Sequence, residues 1–371
     1  MFKTFSIGFI GAGINSEIGK IHQCATEMDS LWKISAGCFS NNKKINQMTG
    51  KRLNLQKNKI YNTYEELINK EKNLDAVLIA TPTPSHFKII EKILKKKIPV
   101  ICEKSFVTSV DEFKKIKKLI KKNFVSIIYN YTGYPMIQEL QKIINKKDLG
   151  VINKIHVEMP SEAYLKKTVK GKIIKPKNWR LKDGKIPMVS LDLGVHIHHL
   201  IYYLTKFTPK NVLSINSTHG NFKNIVDDTF CLVKYNNFTN GVIWFSKSAI
   251  GHRNGLKLRV YGNKASVEWE QIKPEVIKFY KNDGKINILD RENIYLKNDL
   301  IKNYRFKAGH PSGFLEAFAN HYKDIYNEIK FYKKNKRVSK NFIFGPNHAE
   351  KSLKFFEAVQ KSNKLKKWIK I

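Results

Sequence analysis

Two stretches of this sequence combine residue types and spacings that can do chemistry. The first is GAGINSEIGKIH, Gly11 to His22. An apolar strand pattern, Phe5–Ile10, leads into it, and Ile18–Met28 continues with helical spacing. Gly11 permits a tight turn and Gly13 lets the backbone approach a pyrophosphate. The helix start behind them offers free N–H groups and a positive dipole end. Asn15 or Ser16 can cap that helix, and Ile14 lies in the same loop. The third glycine is Gly19, which gives G-x-G-x5-G in place of G-x-G-x-x-G, so the loop is about three residues longer than the usual fingerprint. The second stretch is LDLGVHIHHL, Leu191 to Leu200. If it is helical, Asp192 and His196 form an i,i+4 pair on one face, with His199 one turn further on. An imidazole titrates near neutral pH and suits proton transfer. The three histidines have no recurring carboxylate or cysteine partners, so no metal is expected.

Other candidates stand at strand ends. Lys104 follows the run Ile98–Cys102, and an ammonium there can hold a reacting oxygen and stabilise a developing alkoxide. Asn130, Tyr131 and Tyr134 follow Val125–Tyr129 and can meet substrate hydroxyls; plain packing is an equal alternative for the tyrosines. The second strand, Trp32–Phe39, ends in Ser40-Asn41-Asn42 without the acidic residue that holds the ribose of NAD. Ser40 with Lys43 or Lys44 can instead accept the 2′-phosphate of NADP, and the choice between NAD and NADP stays open. His310 precedes Pro311 and a helix start, where it faces a site or simply serves the loop.

The elements that must position these residues change rhythm along the chain. Up to about residue 125, strands alternate with helices: Asp75–Ala80, Ser85–Lys96, Ile98–Cys102, Val110–Lys121 and Val125–Tyr129 follow the first two units. That alternation implies parallel β-α-β units with right-handed crossovers. Beyond Gly150 come a strand at Ile152–Met159, a Lys-rich loop to Gly184 and a helix at Ser190–Thr205. A series of close-set strands runs from Val212 to Tyr280, separated by turn signals, as in an antiparallel sheet. Helices at Ser312–Tyr332 and Pro346–Ser362 close the chain. Phe314, Phe318 and Tyr322 at i, i+4, i+8 read as a core stripe.

Several motifs in one order make the reading specific. ATPTPSH (Ala80–His86), ICEKSF (Ile101–Phe106), NYTGYPM (Asn130–Met136), NWR (Asn178–Arg180), LDLGVHIHHL and GHPSGFLEAFANHY (Gly309–Tyr322) occur in sequence. Their order resembles the Gfo/Idh/MocA family of nicotinamide-dependent sugar and cyclitol dehydrogenases over nearly the whole chain. The resemblance implies that Thr81, Pro82 and His86 belong to a loop lining the cofactor. It implies that Glu103 sits near the nicotinamide ribose and that Lys104 is the catalytic lysine of an E-K-P motif. Asp192 and His196 match a D-x-x-x-H pair, and Trp179 and Arg180 match an element bordering cofactor and substrate. Three departures stand out: the long phosphate loop, Ser105 in place of the proline after the lysine, and Met188-Val189-Ser190 where relatives carry glycines.

Composition bounds the alternatives. The chain has 371 residues, 68 Lys+Arg against 31 Asp+Glu, and a formal net charge of +37. Only seven of the basic residues are Arg. Phosphate and base-edge recognition favours the guanidinium fork, so the charge reads as a compositional bias on a solvated surface, not as a nucleic-acid footprint. No apolar run approaches the ~20 residues of a membrane span. Cys24, Cys38, Cys102 and Cys231 form no CxxC pair, which suits a reducing compartment and a cytoplasmic protein.

The expected fold is α/β: an N-terminal Rossmann doubly wound parallel sheet (1–130), then a C-terminal α+β domain (131–371) with an open, mostly antiparallel sheet, the last helices packing back on the first domain. The expected activity is hydride transfer between NAD or NADP and a secondary alcohol of a sugar, nucleotide sugar or cyclitol. Lys104, Asp192 and His196 are the expected catalytic residues. Gly11, Gly13, Ile14, Asn15, Ser16, Ser40, Thr81, Pro82, His86, Glu103, Asn130, Trp179 and Arg180 are expected at the cofactor, and Tyr131, Tyr134, His199 and His310 at the substrate. A homo-dimer or homo-tetramer is expected, since an open sheet face needs covering. The alternatives are NAD-dependent glycoside cleavage through transient oxidation and a non-catalytic NAD(P)-binding protein.

Overall fold

The computed structural model describes residues 3–292, 303–340, 342 and 344–371. The chain divides into two compact units: residues 1–133 with 314–350, and residues 134–313 with 351–371.

The first unit holds a five-stranded sheet of β1 (Phe5–Gly11), β2 (Trp32–Cys38), β3 (Ala76–Ala80), β4 (Val100–Cys102) and β5 (Val125–Ile127), in the order β2-β1-β3-β4-β5. Every pairing is parallel. β3 is buried along its whole length, which explains its unbroken apolar run. The connecting helices are α1 (Glu17–Glu27), α2 (Lys43–Arg52), α3 (Tyr64–Lys70), α4 (His86–Lys95) and α5 (Val110–Ile120). α2 and α3 carry no clear apolar period: α2 buries only Asn46, Thr49 and Gly50, so a polar helix stands where the sequence shows no helical stripe.

A late helix, α8 (Phe314–Asn335), completes this core. Phe318, Tyr322, Ile325, Tyr326 and Ile329 pack with Phe5, Ile7, Phe9, Trp32 and Ile34 in one buried cluster. The close approach is possible because residue 133 is glycine: a Cβ there would lie 1.9 Å from Ala317 O.

Among the described residues, the second unit is built on nine strands: β6 (Ile152–Pro160), β7 (Pro209–Ser217), β8 (Asp228–Tyr235), β9 (Asn240–Ser246), β10 (Lys257–Gly262), β11 (Ala265–Glu270), β12 (Ile277–Lys281), β13 (Ile286–Leu289) and β14 (Ile369–Lys370). Their order is β13-β12-β11-β10-β6-β9-β8-β7-β14. All neighbours are antiparallel except β6 and β9, which run parallel. β8 alternates cleanly, with Thr229, Cys231, Val233 and Tyr235 buried and Phe230, Leu232 and Lys234 exposed. The buried face meets helices. Phe245 of β9 packs edge-on against Phe356 of α9 (Pro346–Leu365), and Ser214 of β7 donates to Val359 O. α6 (Pro135–Asn145) and α7 (Val195–Thr205) belong to the same unit. From the end of β6 to Gly184 the Lys-rich stretch is loop, as its composition suggests, apart from a 3-10 turn at Asn178–Leu181 and a β-bridge between Lys167 and Ile173.

Candidate active site

In the first unit, the strand order reverses between β1 and β3, where open parallel sheets bind their ligands. Gly11 ends β1 at φ +85°, and a Cβ there would lie 2.5 Å from Ala80 O at the end of β3. Only glycine allows this junction. Gly19 does the third glycine's work in spite of the longer loop: a Cβ on it would lie 2.7 Å from Ala12 Cα. Ser16 caps α1, its Oγ accepting from Gly19 N at 3.1 Å. Asn15 is exposed on the same loop. The amide of Ile14 donates to Thr49 Oγ1 at 3.0 Å, so this N–H is already engaged within the protein. Ser40 Oγ accepts from Asn42 N at 3.1 Å, and Asn42 caps α2.

The ends of β3, β4 and β5 bring the remaining first-unit candidates to the same edge. Ser85 Oγ donates to Thr81 Oγ1 at 2.7 Å and braces the Thr81-Pro82 turn. His86 is fully buried. Its Nε2 lies 2.8 Å from Thr81 O and its Nδ1 lies 2.8 Å from Ser105 O. It therefore ties the loop after β3 to the loop after β4. Burial pulls its pKa below the ordinary histidine value, against two carbonyls that favour the proton. Glu103 is buried beside Lys104, and the Lys104–Ser105 peptide is cis. Asn130 is buried after β5, and its Nδ2 has no partner among the described residues. An orphaned amide at this sheet edge fits a group that awaits an acceptor. The glycine junction, the capped helix start and this amide together suit a dinucleotide. Tyr131 is buried on the following turn.

In the second unit, Asp192 is the hub. Its helical segment begins with a π-helical turn, Ser190–Gly194, so the straight α-helical spacing between Asp192 and His196 is modified there. Asp192 Oδ2 accepts from Arg180 Nη1 and, at 2.5 Å, from Lys247 Nζ. Lys247 is almost fully buried, at 6% exposure, just past the end of β9. Tyr164 organises both cations. Its Oη donates to Arg180 O at 2.9 Å, its N–H donates to Lys247 O at 2.8 Å, and the Lys247 ammonium lies 5.5 Å from its ring centroid. Arg180 stacks on Trp179 at 4.4 Å, and the buried Trp179 Nε1 has no partner among the described residues. Asp183 secures the loop that carries Trp179 and Arg180 by accepting from Met188 N and Val226 N. Desolvation holds its carboxyl above the usual carboxylate range.

His196 and His199 are buried in α7, and His198 packs against Phe355 at 5.2 Å. Tyr134 packs against Trp269 with tilted rings, centroids 5.4 Å apart, in the core of this unit. His310 is exposed, with its carbonyl held by Arg291. Sequence reasoning missed Lys247. It is one of 61 lysines, and nothing in its spacing sets it apart.

Two family models match the chain. Residues 5–131 match the oxidoreductase family with an NAD-binding Rossmann fold, and residues 137–268 match the GFO/IDH/MocA C-terminal domain. The chain belongs to the Gfo/Idh/MocA family of oxidoreductases. Its first unit is therefore an NAD-binding domain, as the phosphate loop and strand order require. Among relatives, the chain is 26% identical over 332 residues to the uncharacterised oxidoreductase YfiI of Bacillus subtilis, covering 86% of this chain and 84% of the relative. Among solved structures, an oxidoreductase from Sinorhizobium meliloti is 25% identical with a TM-score of 0.85, covering 99% of both chains. An inositol dehydrogenase homologue from Azotobacter vinelandii, solved with NADH and myo-inositol, is 23% identical with a TM-score of 0.89 and covers 100% of this chain and 98% of its own. No helix among the described residues of this Gfo/Idh/MocA protein is long and apolar enough to cross a membrane.

Proposed function

We propose that this protein transfers a hydride between nicotinamide and a secondary alcohol of a polyhydroxylated ring: a sugar, a nucleotide sugar or a cyclitol. The observation that carries this reading is Asp192, a carboxylate fixed by Arg180 and Lys247 at the start of the helix that bears His196. A rigidly held carboxylate with a nearby imidazole suits recognition of several hydroxyls and removal of one proton. The myo-inositol of the Azotobacter vinelandii homologue supports the same substrate class.

The bound nicotinamide supplies the hydride chemistry. In this reading His196 takes the hydroxyl proton onto its imidazole. Lys104 holds the reacting oxygen and stabilises its developing charge. Asp192 orients the substrate by accepting from a hydroxyl. Gly11, Gly13, Asn15 and Ser16 cradle the pyrophosphate, while Thr81, Pro82, Glu103 and Asn130 border the nicotinamide half. Trp179 and Arg180 border cofactor and substrate. Tyr131, Tyr134, His199 and His310 are the further substrate candidates.

A panel of sugars, nucleotide sugars and cyclitols, read at the absorbance of reduced nicotinamide with NAD and with NADP, tests the reading. Lys104→Ala and His196→Ala are expected to lower turnover by orders of magnitude while NADH still binds. Turnover unchanged in either variant refutes its assignment. Glycoside cleavage without net NADH would point instead to transient oxidation, and NADH binding without turnover to a non-catalytic binder.

The same reading includes self-association as a dimer or tetramer. Register sets Ile215 beside Phe230 and Phe230 beside Trp244, with Leu232 beside Val242. Ile215, Phe230 and Leu232 are exposed, so an apolar strip lies open on the outer sheet face. Sedimentation of the wild type and of Phe230→Lys checks it: a monomeric wild type removes the proposal.

A further inference from the structure

His22 lies in α1, the helix that starts at the phosphate loop, and it is wholly buried. Each ring nitrogen meets one partner. Nε2 lies 3.0 Å from Glu103 Oε1, and Nδ1 lies 2.7 Å from Tyr322 Oη. A carboxylate only accepts, so Nε2 carries the hydrogen and donates to Glu103. In the neutral imidazole Nδ1 is then the acceptor, and the Tyr322 hydroxyl donates to it. Burial pushes the Tyr322 hydroxyl far above its ordinary pKa, which keeps it a donor. With the imidazole neutral, the hydrogen bonds run in one direction: Tyr322 to His22 to Glu103.

Both donors are themselves immobilised. Phe318 meets the His22 ring edge to face at 5.2 Å, and Trp32 Nε1 donates to Tyr322 O at 3.1 Å. Glu103 directly precedes Lys104, and His86 grips the carbonyl of Ser105 on the other side. Two buried histidines thus bracket the Glu103-Lys104-Ser105 tripeptide. A carboxylate has about four acceptor positions over its two oxygens, so one imidazole leaves Glu103 able to accept from a further hydroxyl.

We propose that His22 is a positioning residue for the cofactor: the Tyr322–His22–Glu103 relay sets the Glu103 carboxylate so that it accepts a hydroxyl of the nicotinamide-side ribose. The proposal rests on the reading of Glu103 as a cofactor contact. It adds a residue from the body of α1, and another from α8, to what determines NAD(H) affinity.

The test is fluorescence titration of the full-length protein with NADH, with a melting curve taken for each variant. Glu103→Gln comes first and is expected to weaken NADH binding about tenfold, as loss of a hydrogen bond to a charged group does. Binding unchanged in Glu103→Gln overturns the reading of Glu103 itself. His22→Leu removes the donor to Glu103 and is expected to weaken NADH about tenfold. His22→Gln retains an N–H at the Nε2 position and is expected to stay within about threefold of wild type. Tyr322→Phe frees the imidazole and is expected to weaken binding about two- to fivefold. If Glu103→Gln binds weakly while His22→Leu and Tyr322→Phe bind like wild type, the relay has no positioning role and the inference fails alone. A lower melting temperature with unchanged affinity overturns the inference as well. Should His22→Leu not fold, Tyr322→Phe decides: unchanged affinity overturns the inference.

Discussion

Lys247 Nζ lies 2.5 Å from Asp192 Oδ2, the same oxygen that accepts from Arg180. A buried ammonium and a stacked guanidinium thus set one carboxylate of the D-x-x-x-H pair. Lys247→Met should leave that carboxylate one donor short, at a cost of about 1–3 kcal/mol in stability. Steady-state kinetics on the substrate found in the panel should show kcat/KM down about 10- to 100-fold, through loss of an oriented acceptor. NADH affinity should be unchanged. A wild-type kcat/KM removes Lys247 from the site.

Arg180→Lys keeps the charge but loses the planar fork and the stack on Trp179. The stack and the fork together are worth about 1–2 kcal/mol, so kcat/KM should fall about 5- to 30-fold. A double mutant with Lys247→Met should fall by less than the product of the single effects, because both act on Asp192 Oδ2. Strict multiplicativity would show that the two cations act separately.

Gly11→Ala places a Cβ 2.5 Å from Ala80 O in a residue at φ +85°. The strained backbone alone costs about 1–3 kcal/mol. Chemical denaturation should show at least that loss, and NADH titration a large loss of affinity, since the turn that admits the pyrophosphate is displaced. Retained NADH affinity would place the dinucleotide elsewhere.

His321 is buried, and desolvation pulls its pKa from the ordinary 6.5 down to about 4. In the unfolded chain it takes up a proton below pH 6.5, while the folded chain resists until about pH 4. Stability from this group is therefore complete above pH 6.5 and is lost as pH falls toward 4, by up to about 3 kcal/mol. His86 is shifted in the same direction and adds to the slope. Urea denaturation from pH 7 to 4 should show this fall, and His321→Gln should flatten it. An equal slope in the variant would assign the acid sensitivity to other groups.

Much of the frame is legible locally. The parallel strands of the first unit announce themselves as short apolar runs, because both faces of such a sheet are buried. The phosphate loop is visible through its glycines, even with three extra residues before Gly19, because backbone approach tolerates no Cβ at Gly11. α2 and α3 escape the same reading, since they bury too little to carry a period. β13, with only alternate residues partly buried, escapes it as well.

The site divides along the same line. The sequence alone determined the family motifs, the alternation of strand and helix in the first unit and the candidates Lys104, Asp192 and His196, since each rests on neighbours within a few residues. Tertiary structure alone decided that Lys247 joins Asp192 across 55 residues, and that His22 meets Glu103 across 81 residues and Tyr322 across 300. Spacing and periodicity are short-range signals, so they say which face of an element is apolar but not which distant side chain completes a buried hydrogen bond. That choice is made only when the core closes, because a polar group taken out of water must find whatever partner the packing brings within about 3 Å.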